Sequence, residues 1–143
     1  MSMLVHKLFV YGTMKEGEEK HYFLNDPKKG LCKFLGLGRT VVKYPMIIST
    51  ERNIPILINS PGTGHKILGE VYIIDRFMLR NLDVEHLFPI SYARKMDVIK
   101  MYTEDSVEEE VFCWMYYIRV ANTDVNTLGY TISEFSSKNK EGI

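Results

Sequence analysis

The stretch Lys7-Leu8-Phe9-Val10-Tyr11-Gly12-Thr13-Met14 carries an apolar strand directly into a glycine. A strand interior spends its N–H and C=O groups on its neighbours, so a glycine that ends the run leaves successive N–H groups at the tip without ladder partners. Such groups, converging on one point, can hold a carboxylate without any charged side chain. The same tetrapeptide also serves as an ordinary turn in many chains, because glycine and threonine are common punctuation after a strand. The rest of the sequence has to decide between an anion-holding tip and a plain turn.

At 143 residues the chain suits one domain, spanning residues 1–143, with a core that covers most of its apolar side chains. Lys plus Arg number 18 and Asp plus Glu number 18. That balance supplies no long-range field for nucleic acid or an anionic membrane, so the expected partner is a small molecule or another protein. Cys32 and Cys113 have no metal-site spacing and are too few for a disulfide scaffold, which fits reduced thiols in the cytoplasm. Met1–Leu8 holds no apolar core of signal-peptide length, and no segment approaches the ~18 apolar residues that cross a bilayer.

Runs rich in β-branched and aromatic residues predict strands at 4–10, 31–37, 40–48, 54–58, 67–74, 92–101 and 111–120. Ser60-Pro61-Gly62-Thr63-Gly64 has proline and glycine where a hairpin loop needs them, which predicts antiparallel pairing of 54–58 with 67–74. Thr103-Glu104-Asp105-Ser106 would turn the last two long strands in the same way. Gly17–Leu24 suggests a short helix. Asp75–Leu87 suggests a stronger one, with Asp75 as N-cap and Met78, Leu79 and Leu82 on one face. Strands outnumber helices, so the fold class is α+β with a curled, mostly antiparallel sheet. A polar tail from about 129 is expected to fray.

Further segments narrow the reading. Asn53-Ile54-Pro55-Ile56-Leu57, Pro61-Gly62-Thr63-Gly64-His65 leading into Gly69-Glu70-Val71-Tyr72, and Leu82-Asp83 followed by Pro89-Ile90-Ser91-Tyr92-Ala93-Arg94 stand in order behind Tyr11-Gly12-Thr13-Met14. In this order and spacing the chain, from about Leu8 to about Tyr117, resembles the γ-glutamyl cyclotransferase (AIG2-like) family, and within it the γ-glutamylamine cyclotransferase branch. The resemblance implies a mixed β-barrel of about six strands with flanking helices. It implies an activity too: the free α-amine of a small γ-glutamyl compound attacks its own side-chain carbonyl, giving 5-oxoproline and a free amine or amino acid. No metal or organic cofactor is implied. Tyr11, Gly12, Thr13 and Met14 match the family's substrate-holding loop, with Met14 in the usual leucine place, and Tyr92 is either a pocket-lining residue or a cap on a buried backbone group.

The reaction needs one group to take a proton from the α-ammonium and return it to the leaving nitrogen. In the family a glutamate does this, four positions after the leucine of Leu-Asp and three before the proline. Both measures land on His86, with the carboxylate Glu85 one position earlier. Three readings stay open. His86 replaces the glutamate as proton shuttle, a role that a neutral imidazole with a pKa of about 6.5 can fill, though without a charge to attract the ammonium. Alternatively Glu85 turns in and serves directly. In the third reading the shuttle is lost, and the chain is an impaired family member that binds a small amino-acid-like ligand or a protein partner.

Other residues have plainer explanations. Gly36-Leu37-Gly38 lacks the third glycine and the helix of a dinucleotide fingerprint and reads as a bulge or twisted strand. His6, His21 and His65 share no ligand spacing. Glu70 is the main rival carboxylate, with a structural or rim role as its simpler reading. Glu108-Glu109-Glu110 reads as a solvated strand start.

Overall fold

A computed structural model describes residues 5–49, 53–102, 105, 107–119 and 131–137. The elements in order are β1 (Val5–Val10), a single 3₁₀ turn (His21–Phe23), β2 (Cys32–Tyr44), β3 (Met46–Ile48), β4 (Pro55–Leu57), β5 (His65–Asp75), α1 (Arg76–Glu85), β6 (Tyr92–Tyr102) and β7 (Glu108–Ile118). Five strands close a barrel in the order β1-β5-β2-β6-β7, while β3 and β4 form a separate two-stranded ribbon. All barrel pairings are antiparallel except the closing one, where β1 meets β7 in parallel at Leu8 and Trp114.

The apolar run of β1 does not alternate with polar residues because both of its faces are covered. Phe9 points into the barrel with Val71, Ile99, Val111, Cys113 and Met115. Leu8 and Val10 belong to a second apolar layer, with Tyr72, Ile74, Tyr116 and the helix residues Met78, Leu79 and Leu82. The period of two along β5 and β7 distributes alternate side chains between these layers. Burial pushes the thiols of Cys32 and Cys113 up to about 11 and about 12.

Several sequence expectations are corrected. The runs 31–37 and 40–48 are one long strand to Tyr44, broken by Pro45, with register shifts at Phe34/Gly36 and Arg39/Lys43. The first is the irregularity expected at Gly36-Leu37-Gly38. At the second, the buried Thr40 hydroxyl accepts from Ile67 N–H and donates to the Val42 carbonyl, replacing ladder bonds that the shift removes. The predicted hairpin of 54–58 with 67–74 does not form: β4 pairs back to β3, and β5 lies between β1 and β2. Its loop does have the left-handed glycines expected, and at Gly64 a Cβ would lie 2.3 Å from the Tyr44 carbonyl oxygen. The helix expected at Gly17–Leu24 shrinks to the 3₁₀ turn, since Phe23 and Leu24 are its only buried apolar pair. Of the 103–106 turn, only Asp105 lies among the described residues, although β6 and β7 do pair antiparallel out to Tyr102 and Glu108.

Residues 131–137, placed by the sequence in a fraying tail, are held down. Phe135 is buried in the barrel cluster, Ile132 N–H donates to the Met46 carbonyl, and Leu68 N–H donates to the Ser133 carbonyl. Helix α1 starts as expected: the Asp75 carboxylate accepts from Met78 N–H at 2.9 Å. Removing that cap in Asp75→Ala should cost about 1 kcal/mol, read as a lower urea midpoint at unchanged slope.

Candidate functional site

Where β1 ends, the chain turns at Tyr11–Met14 and one wall of a cavity of about 280 Å³ begins. That volume is near the small end of ligand pockets, ~300–1,000 Å³, and suits an amino-acid-sized molecule. Tyr11, Gly12, Thr13 and Met14 line it, together with Ile54 and Pro55 from the start of β4, Glu85, His86 and Leu87 from the end of α1, and Tyr92 and Tyr116 from the barrel wall. The residues named from the sequence for substrate binding and proton transfer thus border one cavity.

The loop disposes of its backbone groups asymmetrically. Three of its carbonyls have donors: Gly12 C=O accepts from Lys15 N–H, Thr13 C=O from Lys20 N–H, and Met14 C=O from the His21 ring at 2.9 Å. The N–H groups of Gly12, Thr13 and Met14 have no protein acceptor among the described residues. Three successive donors beside a cavity form a concentration of positive partial charge that favours an anion. Gly12 is required for close approach rather than for conformation. Its φ is not among the positive ones, but a Cβ there would lie 3.0 Å from Pro55 Cγ. Tyr11 contributes its backbone, while its buried hydroxyl donates to the Tyr116 carbonyl at 2.7 Å and pins the loop to β7.

The other wall follows from how α1 stops. Leu87 N–H bonds to the Val84 carbonyl and Phe88 N–H to the Asp83 carbonyl, with Leu87 itself left-handed at φ 51°. This paired closure normally puts glycine at the left-handed position. His86 caps the helix with its N–H still on the Leu82 carbonyl, and Glu85 and His86 both border the cavity from this helix end.

His86 is held on three sides. Its Nδ1 lies 2.7 Å from the Leu82 carbonyl, its ring stacks on Tyr116 with centroids 3.9 Å apart and planes at 4°, and the Tyr92 ring meets it edge-on at 5.4 Å. A carbonyl can only accept, so Nδ1 carries the hydrogen and Nε2 is the basic nitrogen of the neutral ring. Burial pushes the His86 pKa below the ordinary imidazole value, against the upward pull of the Leu82 carbonyl and Glu85. Glu85 is at the solvent edge, where its carboxylate lies 3.7 Å from the Lys20 ammonium.

Behind His86 lies a network that the sequence motif contains but did not explain. Arg94 donates through Nε and Nη2 to the two oxygens of Asp83 at 2.8 and 3.0 Å, and the Tyr116 hydroxyl donates to the same carboxylate at 2.6 Å. Arg94 also lies over the Trp114 ring at 4.2 Å. Leu-Asp and Tyr-x-Arg are therefore the two halves of a clamp between the helix end and β6. Glu70, the rival carboxylate, faces away from the cavity, and its Oε1 accepts from Glu16 N–H and the Tyr72 hydroxyl, bracing the loop from behind. His6 and His21 are taken up by Trp114 and Met14 respectively.

Comparison with known proteins adds to this geometry. A family model described as γ-glutamyl cyclotransferase, AIG2-like, matches residues 8–134. A γ-glutamylaminecyclotransferase of Bos taurus is 35% identical over 136 residues, covering 95% of this chain and 79% of the relative. One of Mus musculus is 38% identical over 112 residues, covering 76% and 75%. The crystal structure of an AIG2-like protein from Mus musculus superposes with a TM-score of 0.85 at 33% identity, covering 97% of this chain and 93% of that one. Among the described residues no helix is long and apolar enough to cross a membrane.

The clamp makes a prediction about acid stability. Burial alone would raise the Asp83 pKa, but its bonds from Arg94 and Tyr116 outweigh that and hold it below the usual carboxylate value. A depressed folded pKa stabilises above the unfolded value of about 3.9 and is lost as pH falls through the folded one. Asp83→Asn should therefore be less stable than wild type at pH 7 in urea, and the gap should shrink as pH drops below about 4.

Proposed function

We propose a function from one premise: this chain belongs to the AIG2-like γ-glutamyl cyclotransferase family. It is a cyclotransferase of the γ-glutamylamine type, converting small γ-glutamyl compounds to 5-oxoproline and a free amine or amino acid. The observation that carries this is the loop's three N–H groups without an acceptor among the described residues, which share a small cavity with a neutral imidazole whose Nδ1 carries the hydrogen. The substrate's α-carboxylate takes the Gly12–Met14 amides, and the folded substrate sets its α-nitrogen against its own carbonyl carbon. The pocket is not filled by its own side chains, and nothing favours a purely non-catalytic binding role.

His86 is the proton shuttle in this reading. Nε2 takes a proton from the α-ammonium, the freed nitrogen bonds to the carbonyl carbon, and the imidazolium protonates the leaving nitrogen as its C–N bond breaks. The α-nitrogen enters as an ammonium and ends as a lactam N–H, losing two protons in all. The leaving nitrogen enters as an amide N–H and departs as an ammonium, gaining two, so no co-reactant is required. What supports His86 over Glu85 is the oriented, desolvated ring against the solvent-exposed carboxylate.

Release of 5-oxoproline from γ-glutamyl-ε-lysine and related γ-glutamylamines, set beside a mock-purified control, tests the assignment. His86→Ala should lower kcat by about 10²–10⁴-fold, while His86→Glu restores or exceeds wild-type turnover. If Glu85→Gln silences the enzyme and His86→Ala does not, Glu85 is the shuttle instead.

The acting form of His86 is the neutral one, and burial lowers its pKa. The acid limb of kcat/KM should therefore fall below pH ~6.5 and move to the carboxylate range in His86→Glu.

Gly12→Val, whose branched Cβ meets Pro55, should abolish 5-oxoproline binding by calorimetry in a protein that still folds. Unchanged affinity would place the carboxylate elsewhere.

A further inference from the structure

Lys20 and Glu85 have no task in the scheme above, yet they are the only Lys, Arg, Asp or Glu side chains lining the cavity among the described residues. A γ-glutamyl substrate arrives with one ammonium and one carboxylate on a single carbon, and the ammonium has to find an anionic partner before any proton moves. His86 cannot be that partner. Its ring is neutral, and its Nδ1–H is committed to the Leu82 carbonyl. We infer, resting on the cyclotransferase reading of this cavity, that the Lys20–Glu85 ion pair is the receptor for the substrate's amino-acid head. The α-ammonium replaces Lys20 at Glu85, and the α-carboxylate takes Lys20 in exchange, beside the Gly12–Met14 amides.

The resting pair is built to be exchanged. Its charges are 3.7 Å apart on side chains that are 43% and 39% exposed, and exposed pairs of this kind contribute little to stability. Opening it for a ligand that brings both opposite charges therefore costs little. Glu85 is also the last residue of α1, at the negative pole of the helix, and the last turn has no basic residue to offset that pole. A cation bound there gains from the helix as well as from the carboxylate. Lys20 comes from the other wall, where its own N–H already braces the Thr13 carbonyl of the amide loop.

Two tasks are thus divided here between neighbours. Glu85 attracts and orients the ammonium, and His86 moves its proton. The two states of the ligand differ in what Glu85 can bind, because 5-oxoproline keeps the carboxylate but has a neutral lactam nitrogen.

That difference supplies the test. Calorimetry in a His86→Ala background, where turnover is silenced, compares γ-glutamylmethylamide with 5-oxo-L-proline. Adding Glu85→Gln should weaken γ-glutamylmethylamide about tenfold, the lower end for a charge-assisted hydrogen bond, and 5-oxoproline by less than about twofold. Adding Lys20→Met should weaken 5-oxoproline, which has only its carboxylate to lose. Equal weakening of both ligands by Glu85→Gln, or no weakening of γ-glutamylmethylamide, overturns the assignment, as does unchanged 5-oxoproline affinity in Lys20→Met. Failure of 5-oxoproline to bind even the wild-type protein would remove the reading of the cavity itself, and this assignment with it.

Discussion

A half-buried carboxylate sets the geometry of the pocket. Asp83, near the end of α1, has been drawn far enough from water that its oxygens must find protein donors, and it finds them on two barrel strands: Arg94 of β6 and Tyr116 of β7. The helix end has no freedom left to slide along the barrel. Tyr116, fixed by its hydroxyl, presents a flat ring on which His86 stacks, and its backbone carbonyl receives the Tyr11 hydroxyl from the opposite wall. One carboxylate thus positions the loop and the helix end relative to each other through a single tyrosine.

What could be read from the chain beforehand was mostly local. The strand into Gly12, the capped helix after Asp75 and the long strands β5, β6 and β7 announce themselves by residue type and period, and each is present. Of the pairing partners, only β6 and β7 were legible, and they do meet antiparallel. Ser60–Gly64 has the chemistry of a tight hairpin, but β4 is only Pro55–Leu57 and its ladder is satisfied by β3, so the turn hands the chain to a different sheet. Proline at 45 signalled the break in the 40–48 run, though its weight against so many β-branched neighbours was not legible.

The candidate site divides along the same line. Tyr11–Met14 could be found from its motif, because close backbone approach demands glycine at one place. The end of α1 could not, since its left-handed closing residue is Leu87 where glycine is the usual signal. Helical periodicity puts Glu85 and His86 on opposite flanks of one face and leaves either able to reach a pocket. The Asp83–Arg94 clamp was present in the sequence as Leu-Asp and Tyr-x-Arg, its two charged residues eleven positions apart, with nothing to say that they meet.

The abrupt stop of α1 has a consequence for how such a site changes over generations. On a continuing helix, adjacent residues point about 100° apart, and moving a function by one position would require the backbone to rotate. Here Glu85 closes the last helical turn and His86 caps it, and both border the same cavity with no such rotation. A side chain that must reach this cavity can therefore stand at either position, and a substitution at one leaves its neighbour bordering the same space.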